Sequence, residues 1–319
     1  PHEIPAEVAE HAAQAGEHAA EAAHEGFDAG KTIIEHVSNS SGEHPLLHLP
    51  TIGGIDFSVT KHVLMLWLVA AFVFLVVTVT VRAYLKQDRL VPSGLMNALE
   101  ALVEYIRDNI ARPNLGRKWV NAYTPLLLTF FLFILCANAI GLIPVFDGLA
   151  LLNHYVIHAD AHSFLGLVIH GGTTATANFN VTAALATIVF FAIIIAGSRA
   201  HGVVQHWINL VPHGLAWPLY ILLIPIELMG MLVKPFALTM RLAANMTGGH
   251  IAILAILSFV FIFTEMFSRA IAGIGVGLAV SVPLAVGISA LEIIVVLVQA
   301  YVFTLLAGVF IGMAIHVHH

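Results

Sequence analysis

Charged and amide side chains recur at regular intervals inside a very apolar part of the sequence. Glu227, Lys234 and Arg241 lie seven residues apart, and Asn245 follows Arg241 by four. Seven residues drift by only about 20° around an α-helix. The three ionisable groups therefore share one helix face if Pro235 leaves the helical register undisturbed.

A second polar stripe follows in the next apolar stretch, where Glu292 and Gln299 are also seven residues apart. Two polar stripes on adjacent helices favour a hydrated path or a facing partner over contact with lipid. His250 lies nine residues from Arg241 and is predicted on the opposite face of the same helix. Such a histidine near Glu292 fits a proton relay, because imidazole titrates near neutrality. A hydrogen bond from His250 to a helix carbonyl is the equal alternative.

The positive charge of Arg241 needs a stabilising partner if its helix lies in a membrane. A charged side chain at mid-membrane costs about 2.5–3.5 kcal/mol on insertion scales and about 10–17 kcal/mol in simulations of an isolated helix. One hypothesis is transport, in which Arg241 meets a mobile anion or water. The alternative is a static buried pair with Glu227 or Glu292. Snorkelling from a helix end is less consistent with the sequence, since apolar residues flank Arg241 on both sides.

The composition requires several helices in lipid. Of 319 residues, 59% are hydrophobic and only 10% are charged, which predicts an all-α integral membrane protein. Residues 1–50 carry nine acids and one base, a sum of −8 within a net charge of −6. We interpret them as an acidic extension rich in His, Ala and Glu, and residues 51–319 as the membrane domain. The sequence opens on Pro1, so we expect that a leader has been removed or that the sequence is trimmed.

Hydropathy predicts three ordinary membrane spans, at residues 62–84, 123–146 and 181–198. The segment after the first span is rich in Lys and Arg and is assigned to the inside, which places the N-terminus outside. Within it, residues 95–111 show the apolar stripe of an amphipathic helix at the membrane interface. The loop after the second span contains no Lys or Arg, as expected outside.

Two further apolar stretches, residues 214–264 and 271–315, are too long for upright spans. As helices each would measure on the order of 70 Å, about twice the hydrocarbon thickness. Either they break, with Pro225, Pro235 and Pro283 as candidate sites, or they lie strongly tilted. We expect a long, tilted helical hairpin with its tip outside and the C-terminus inside.

Histidines outside the predicted spans suggest a metal site. His154, His158 and His162 are spaced by four, as on one face of a helix that could bind Zn²⁺ or Cu²⁺. A solvated, proton-buffering surface is the favoured alternative. No nucleotide-binding motif is present in the sequence, and no cofactor is expected.

Several stretches together resemble subunit a of the F-type ATP synthase. They are "KPFALTMRLAANMTGGH", "EIIVVLVQAYVFTLL", "ALEALVEYIRDNIARPNLGRKW", "PLLLTFFLFILCANAIGLIP", "TANFNVTAALA" and "ILLIPIELMGMLVKP". The resemblance covers about residues 62 to 315. It implies a non-catalytic stator subunit that provides two proton half-channels beside a rotating ring of c subunits.

The resemblance also implies roles for single residues. Arg241 matches the essential arginine that faces the ring carboxylate, and Asn245 and Gln299 match its polar neighbours. Glu227 matches an acidic channel position. His250 and Glu292 match a coupled pair in the outside-facing half-channel, with the acid and the imidazole in the order of mitochondrial-type members.

The implied partners are the c ring at the Arg241 face, the b subunits of the peripheral stalk, the rest of the ATP synthase and membrane lipid. No nucleic-acid partner is expected. The implied location is an energy-coupling membrane, bacterial in the first instance and mitochondrial as the alternative. Protons are favoured over Na⁺ as the transported ion. A secondary transporter is the main rival, but it predicts an internal repeat, and the Arg241 region has no counterpart in residues 60–190. A membrane scaffold would instead make Arg241→Lys nearly harmless.

Overall fold

The computed structural model describes residues 58–87, 91–142, 175–208, 217–266 and 270–316. These residues are almost entirely helical, and no β-strand is present among them beyond an isolated bridge at Val59. The all-α fold predicted from composition is therefore confirmed. The extension at residues 1–50 and the loop with His154, His158 and His162 lie outside the described residues.

The first half of the described chain contains three long α-helices, a shorter one and two short turns of other helical types. The helices are α1 (Lys61–Leu85), α2 (Leu95–Tyr105), a π-helical turn (Ile106–Ala111), α3 (Arg112–Leu142), a 3₁₀ turn (Ala175–Ala177) and α4 (Phe179–His201). Gly116 interrupts α3 with φ 72° and ψ 172°, a conformation that disfavours any residue with a Cβ. The helix is therefore interrupted at Gly116, a few residues before the apolar span begins.

The second half contains a short helix and two very long ones. They are α5 (Val203–Ile208), α6 (Trp217–Met266) and α7 (Ala270–Ile315). Pro225 and Pro235 lie inside α6 and Pro283 inside α7, and neither helix is broken there. The sequence allowed either helices broken at these prolines or continuous helices, and the structure shows continuous helices. Proline is tolerated in membrane helices because neighbouring groups satisfy the freed backbone carbonyls.

Five described segments are long and apolar enough to cross a membrane, so the chain is a multi-pass membrane protein. The apolar parts of α6 and α7 contain 42 and 41 residues. At about 1.5 Å per residue each is roughly 60 Å long, so neither fits a bilayer of about 30 Å without strong tilt. The five segments are His62–Leu85, Leu95–Leu142, Phe179–His201, Leu219–Val260 and Gly275–Ile315.

The chain divides into two compact units. The larger is formed by the described residues between 58 and 249 and between 289 and 316, and it holds the main apolar core, in which Leu127, Ile134, Leu242 and Phe303 are almost fully buried. The smaller unit contains the described residues between 250 and 288. Within it, α6 and α7 approach closely, because a Cβ at Gly277 would lie only 2.7 Å from Cα of Val260.

Candidate ion-transfer site

Arg241 lies on the exposed side of α6. The residues around it on the helix, Leu238, Leu242 and Met246, are at most 2% exposed, so this part of α6 buries one side in the larger unit. Arg241 itself is exposed. No ion pair or hydrogen bond from its guanidinium to another residue is present within the described part of the chain. The static pair with Glu227 or Glu292, one of the two sequence hypotheses, is therefore not formed among the described residues.

Asn245 and Gln299 are brought together about one turn beyond Arg241. The Asn245 side-chain amide (Nδ2) donates to Oε1 of Gln299 over 3.0 Å, joining α6 to α7. Gln299 is only 4% exposed. Because a buried amide without a partner costs about 1–3 kcal/mol, this bond favours one arrangement of the two helices. It holds a polar group beside Arg241.

The carboxylate of Glu292 is buried against the backbone of α6. Glu292 is 3% exposed, and a Cβ added at Gly249 would lie 2.2 Å from its Oε1 and 2.9 Å from its Cδ. Any larger residue at this position would force the carboxylate to move. A buried acid in an apolar helix is expensive and marks a functional position in membrane proteins.

A cluster of buried polar side chains, which sequence reasoning missed, lies next to α6. Thr176 donates from Oγ1 to Oδ1 of Asn138, both are 0% exposed, and Nδ2 of Asn138 has no hydrogen-bond partner in the described part of the chain. Thr247 of α6 donates to the carbonyl of Ala177 over 3.3 Å. The signal was an Asn inside the apolar run "FILCANAIGL" and the Thr residues before α4.

The other predicted residues are placed as follows. Glu227 and Lys234 are partly buried on α6, and the Lys234 ammonium lies 5.8 Å from the centre of the Phe310 ring on α7. His250 is partly buried and belongs to the smaller unit, and its coupling to Glu292 stays a prediction. No group of three metal-ligating side chains occurs among the residues that the structure describes.

The fold and the site define a multi-pass helical membrane protein with an exposed arginine and buried polar groups on two very long helices. Residues 63–312 match the family described as ATP synthase A chain. The chain is 40% identical to ATP synthase subunit a 2 of Chlorobium luteolum over 98% of this chain and 85% of that protein. It is 37% identical to ATP synthase subunit a of Pelodictyon phaeoclathratiforme, over 98% and 84% of the two chains. The chain belongs to the ATP synthase subunit a family, which confirms the resemblance found in the sequence.

Proposed function

We propose that the chain is the proton-conducting stator subunit of an F-type ATP synthase and that Arg241 faces the carboxylates of a ring of c subunits. The observation that carries this proposal is the exposed guanidinium of Arg241, which has no anionic partner in the described part of the chain. An unpaired cation in a membrane segment needs an anion from elsewhere. Carboxylates that pass in turn on a rotating ring supply that anion.

The chemistry follows from how charge and burial act on a carboxyl group. In lipid, desolvation raises the pKa of a ring carboxyl group and keeps it protonated. Beside Arg241 the anion is favoured, so the pKa falls and the proton leaves. The ring can move that site back into lipid only after a new proton has neutralised it. Arg241 therefore couples proton transfer to rotation, and its fixed positive charge blocks a direct leak between the two half-channels.

The outside-facing half-channel is assigned to the buried polar groups on the α4 side of α6. The pair of Asn138 and Thr176 and the contact of Thr247 with Ala177 provide hydrogen-bonding groups in an apolar environment. Glu292 lies against Gly249, two residues after Thr247. Protons pass from this cluster to Glu292 and His250 and then to the ring, while Glu227 belongs to the inside-facing path.

The remaining assignments belong to the same proposal. The N-terminus and the extension at residues 1–50 face the outside, and the C-terminus faces the inside, as the distribution of Lys and Arg indicates. The b subunits of the peripheral stalk are partners, ATP is made by other subunits, and the membrane is a bacterial energy-coupling membrane. Each proton that crosses releases about 2.3 kcal/mol per 100 mV, and rotation delivers the sum of several crossings.

ATP-driven acidification of inverted membrane vesicles tests the role of Arg241. We expect Arg241→Ala to abolish pumping while immunoblots show a fully assembled complex, because no cation then discharges the ring carboxylate. Arg82→Ala is the matched control, since Arg82 is an exposed arginine in the last turn of α1. It should pump at the wild-type rate.

Arg241→Lys separates this proposal from a structural role for the charge. Lysine keeps the positive charge but lacks the planar guanidinium that binds a carboxylate through two hydrogen bonds. We expect Arg241→Lys to pump poorly. Normal pumping by Arg241→Ala would show that Arg241 is not part of the ion path, and the stator mechanism proposed here would be wrong.

A further inference from the structure

The short helix α5 is attached to α4 by a single buried side chain. His206 is 4% exposed and is the only buried residue of α5. Its imidazole occupies a notch at Gly197, where an added Cβ would lie 2.2 Å from Nδ1 and 2.3 Å from Cε1. The four apolar residues of α5 are well exposed: Val203 at 67%, Val204 at 72%, Trp207 at 45% and Ile208 at 49%.

The connection between the two helices permits this docking. Gly202 has φ 94°, which few residues other than glycine adopt, and the chain turns there from α4 into α5. The backbone N–H of Gly202 donates to the carbonyl of Ser198, and that of His206 donates to the carbonyl of Gly202. These backbone bonds close the end of α4 and begin α5, and the buried side chain of α5 that packs against α4 is His206, at Gly197.

The surroundings of the imidazole disfavour a positive charge. Neither α4 nor α5 contains an Asp or Glu, and the ionisable neighbours at the end of α4 are Arg199 and His201. His201 also contacts the end of α7, where its Nε2 donates to the Ile315 carbonyl over 2.9 Å, and His316 follows directly. The Nε2 of His206 is buried without a hydrogen-bond partner among the described residues. Burial lowers the pKa of His206, and His201 lowers it further.

We propose that α5 is a pH-sensitive latch, docked on α4 while His206 is neutral and released when His206 is protonated. A buried imidazolium in this notch would have no carboxylate on either helix to pair with, and both burial and His201 disfavour its charge. Water and lipid headgroups stabilise the charge only after the ring leaves the notch. The latch lies on the segment that leads from α4 towards α6, the helix that carries Arg241.

The direction of the pH dependence follows from linkage. The pKa of docked His206 lies below that of a free histidine, about 6.5, so the released state binds more protons as the pH falls. The docked state of α5 is most stable when the pH is above the pKa of a free histidine. It becomes less stable as the pH falls below that pKa. The ratio of released to docked α5 rises up to about tenfold per pH unit, until the docked pKa is reached.

Hydrogen–deuterium exchange of the α5 amides tests the latch in the intact ATP synthase reconstituted in lipid nanodiscs. After correction for intrinsic exchange rates, we expect the amides of residues 206–208, which bond to carbonyls one turn earlier, to exchange up to about tenfold faster at about pH 5.5 than at about pH 7.5. His206→Phe keeps a ring of similar shape but cannot be protonated. Its α5 should stay protected equally at both pH values.

A second variant tests the notch itself. In Gly197→Ala the added Cβ overlaps the imidazole, so α5 should exchange rapidly at both pH values. Gly230→Ala is the matched control, because a Cβ there meets nothing within 4 Å, and it should behave like the wild type. Equal exchange of wild-type α5 at the two pH values, a wild-type pH response in His206→Phe, or protected α5 in Gly197→Ala would each overturn the proposal. These exchange measurements do not depend on proton pumping, so they can fail or succeed independently of the proposed function.

Discussion

Adding one methyl group at Gly249 should slow proton transfer through the outside-facing half-channel proposed above. The new Cβ would lie 2.2 Å from Oε1 of Glu292, whereas carbon–oxygen contacts are normally about 3.3 Å or longer. The carboxylate must therefore retreat by roughly 1 Å, and Glu292 is only 3% exposed, so little free space surrounds it. A displacement of about 1 Å in a group that transfers protons can lower a rate about 100-fold. We expect Gly249→Ala to reduce proton transport by a factor of this order.

Gly287→Ala provides the matched control for this variant. It adds the same methyl group at an exposed position of α7, where a Cβ meets nothing within 4 Å. The assay is the initial rate of ATP-driven acidification in inverted vesicles, normalised to the amount of assembled complex. Gly287→Ala should pump at nearly the wild-type rate. Equal pumping by both variants, with both complexes assembled, would refute the reasoning that the position of the Glu292 carboxylate limits proton transfer.

Two further variants test contacts within the larger unit. Gln299→Leu removes the acceptor of the Asn245 amide, a net loss of about 0.5–1.5 kcal/mol because Asn245 is exposed to solvent. We expect a severalfold lower rate of pumping, and a wild-type rate would contradict the role given to this bond. Gly312→Val places a Cβ 2.3 Å from the Asn114 carbonyl oxygen, so it should destabilise the purified complex by about 1–3 kcal/mol. A thermal unfolding midpoint no lower than that of Gly230→Val would argue against this packing.

Hydropathy and helical spacing indicated the main elements because both depend on local sequence. A run of apolar residues long enough to cross a bilayer predicts a helix regardless of its neighbours. The excess length of the two final stretches suggested either breaks or tilt, and only the structure shows that α6 continues through Pro225 and Pro235. Hydropathy also does not report helix starts in polar sequence. Thus the part of α3 that contains the apolar span begins just after the break at Gly116, several residues before the span predicted from residue 123.

Contacts between distant segments were beyond the reach of the sequence. Gly249 appeared as one of two adjacent glycines, and nothing in its local sequence showed that it accommodates a carboxylate from α7. The same holds for the notch at Gly197 and for the pairing of Asn138 with Thr176, which are 38 residues apart. A glycine that makes room for a side chain of another helix can be recognised only when the position of that helix is known.

The most direct test of the central claim is ATP synthesis by sealed inverted vesicles that carry Arg241→Ala, driven by an imposed proton gradient. The complex must be assembled, and its catalytic head must still hydrolyse ATP. Because Arg241 is proposed to discharge each ring carboxylate, the account predicts no synthesis above that of vesicles treated with an uncoupler. Synthesis at the wild-type rate would contradict the account, because the ring would then be driven without the arginine.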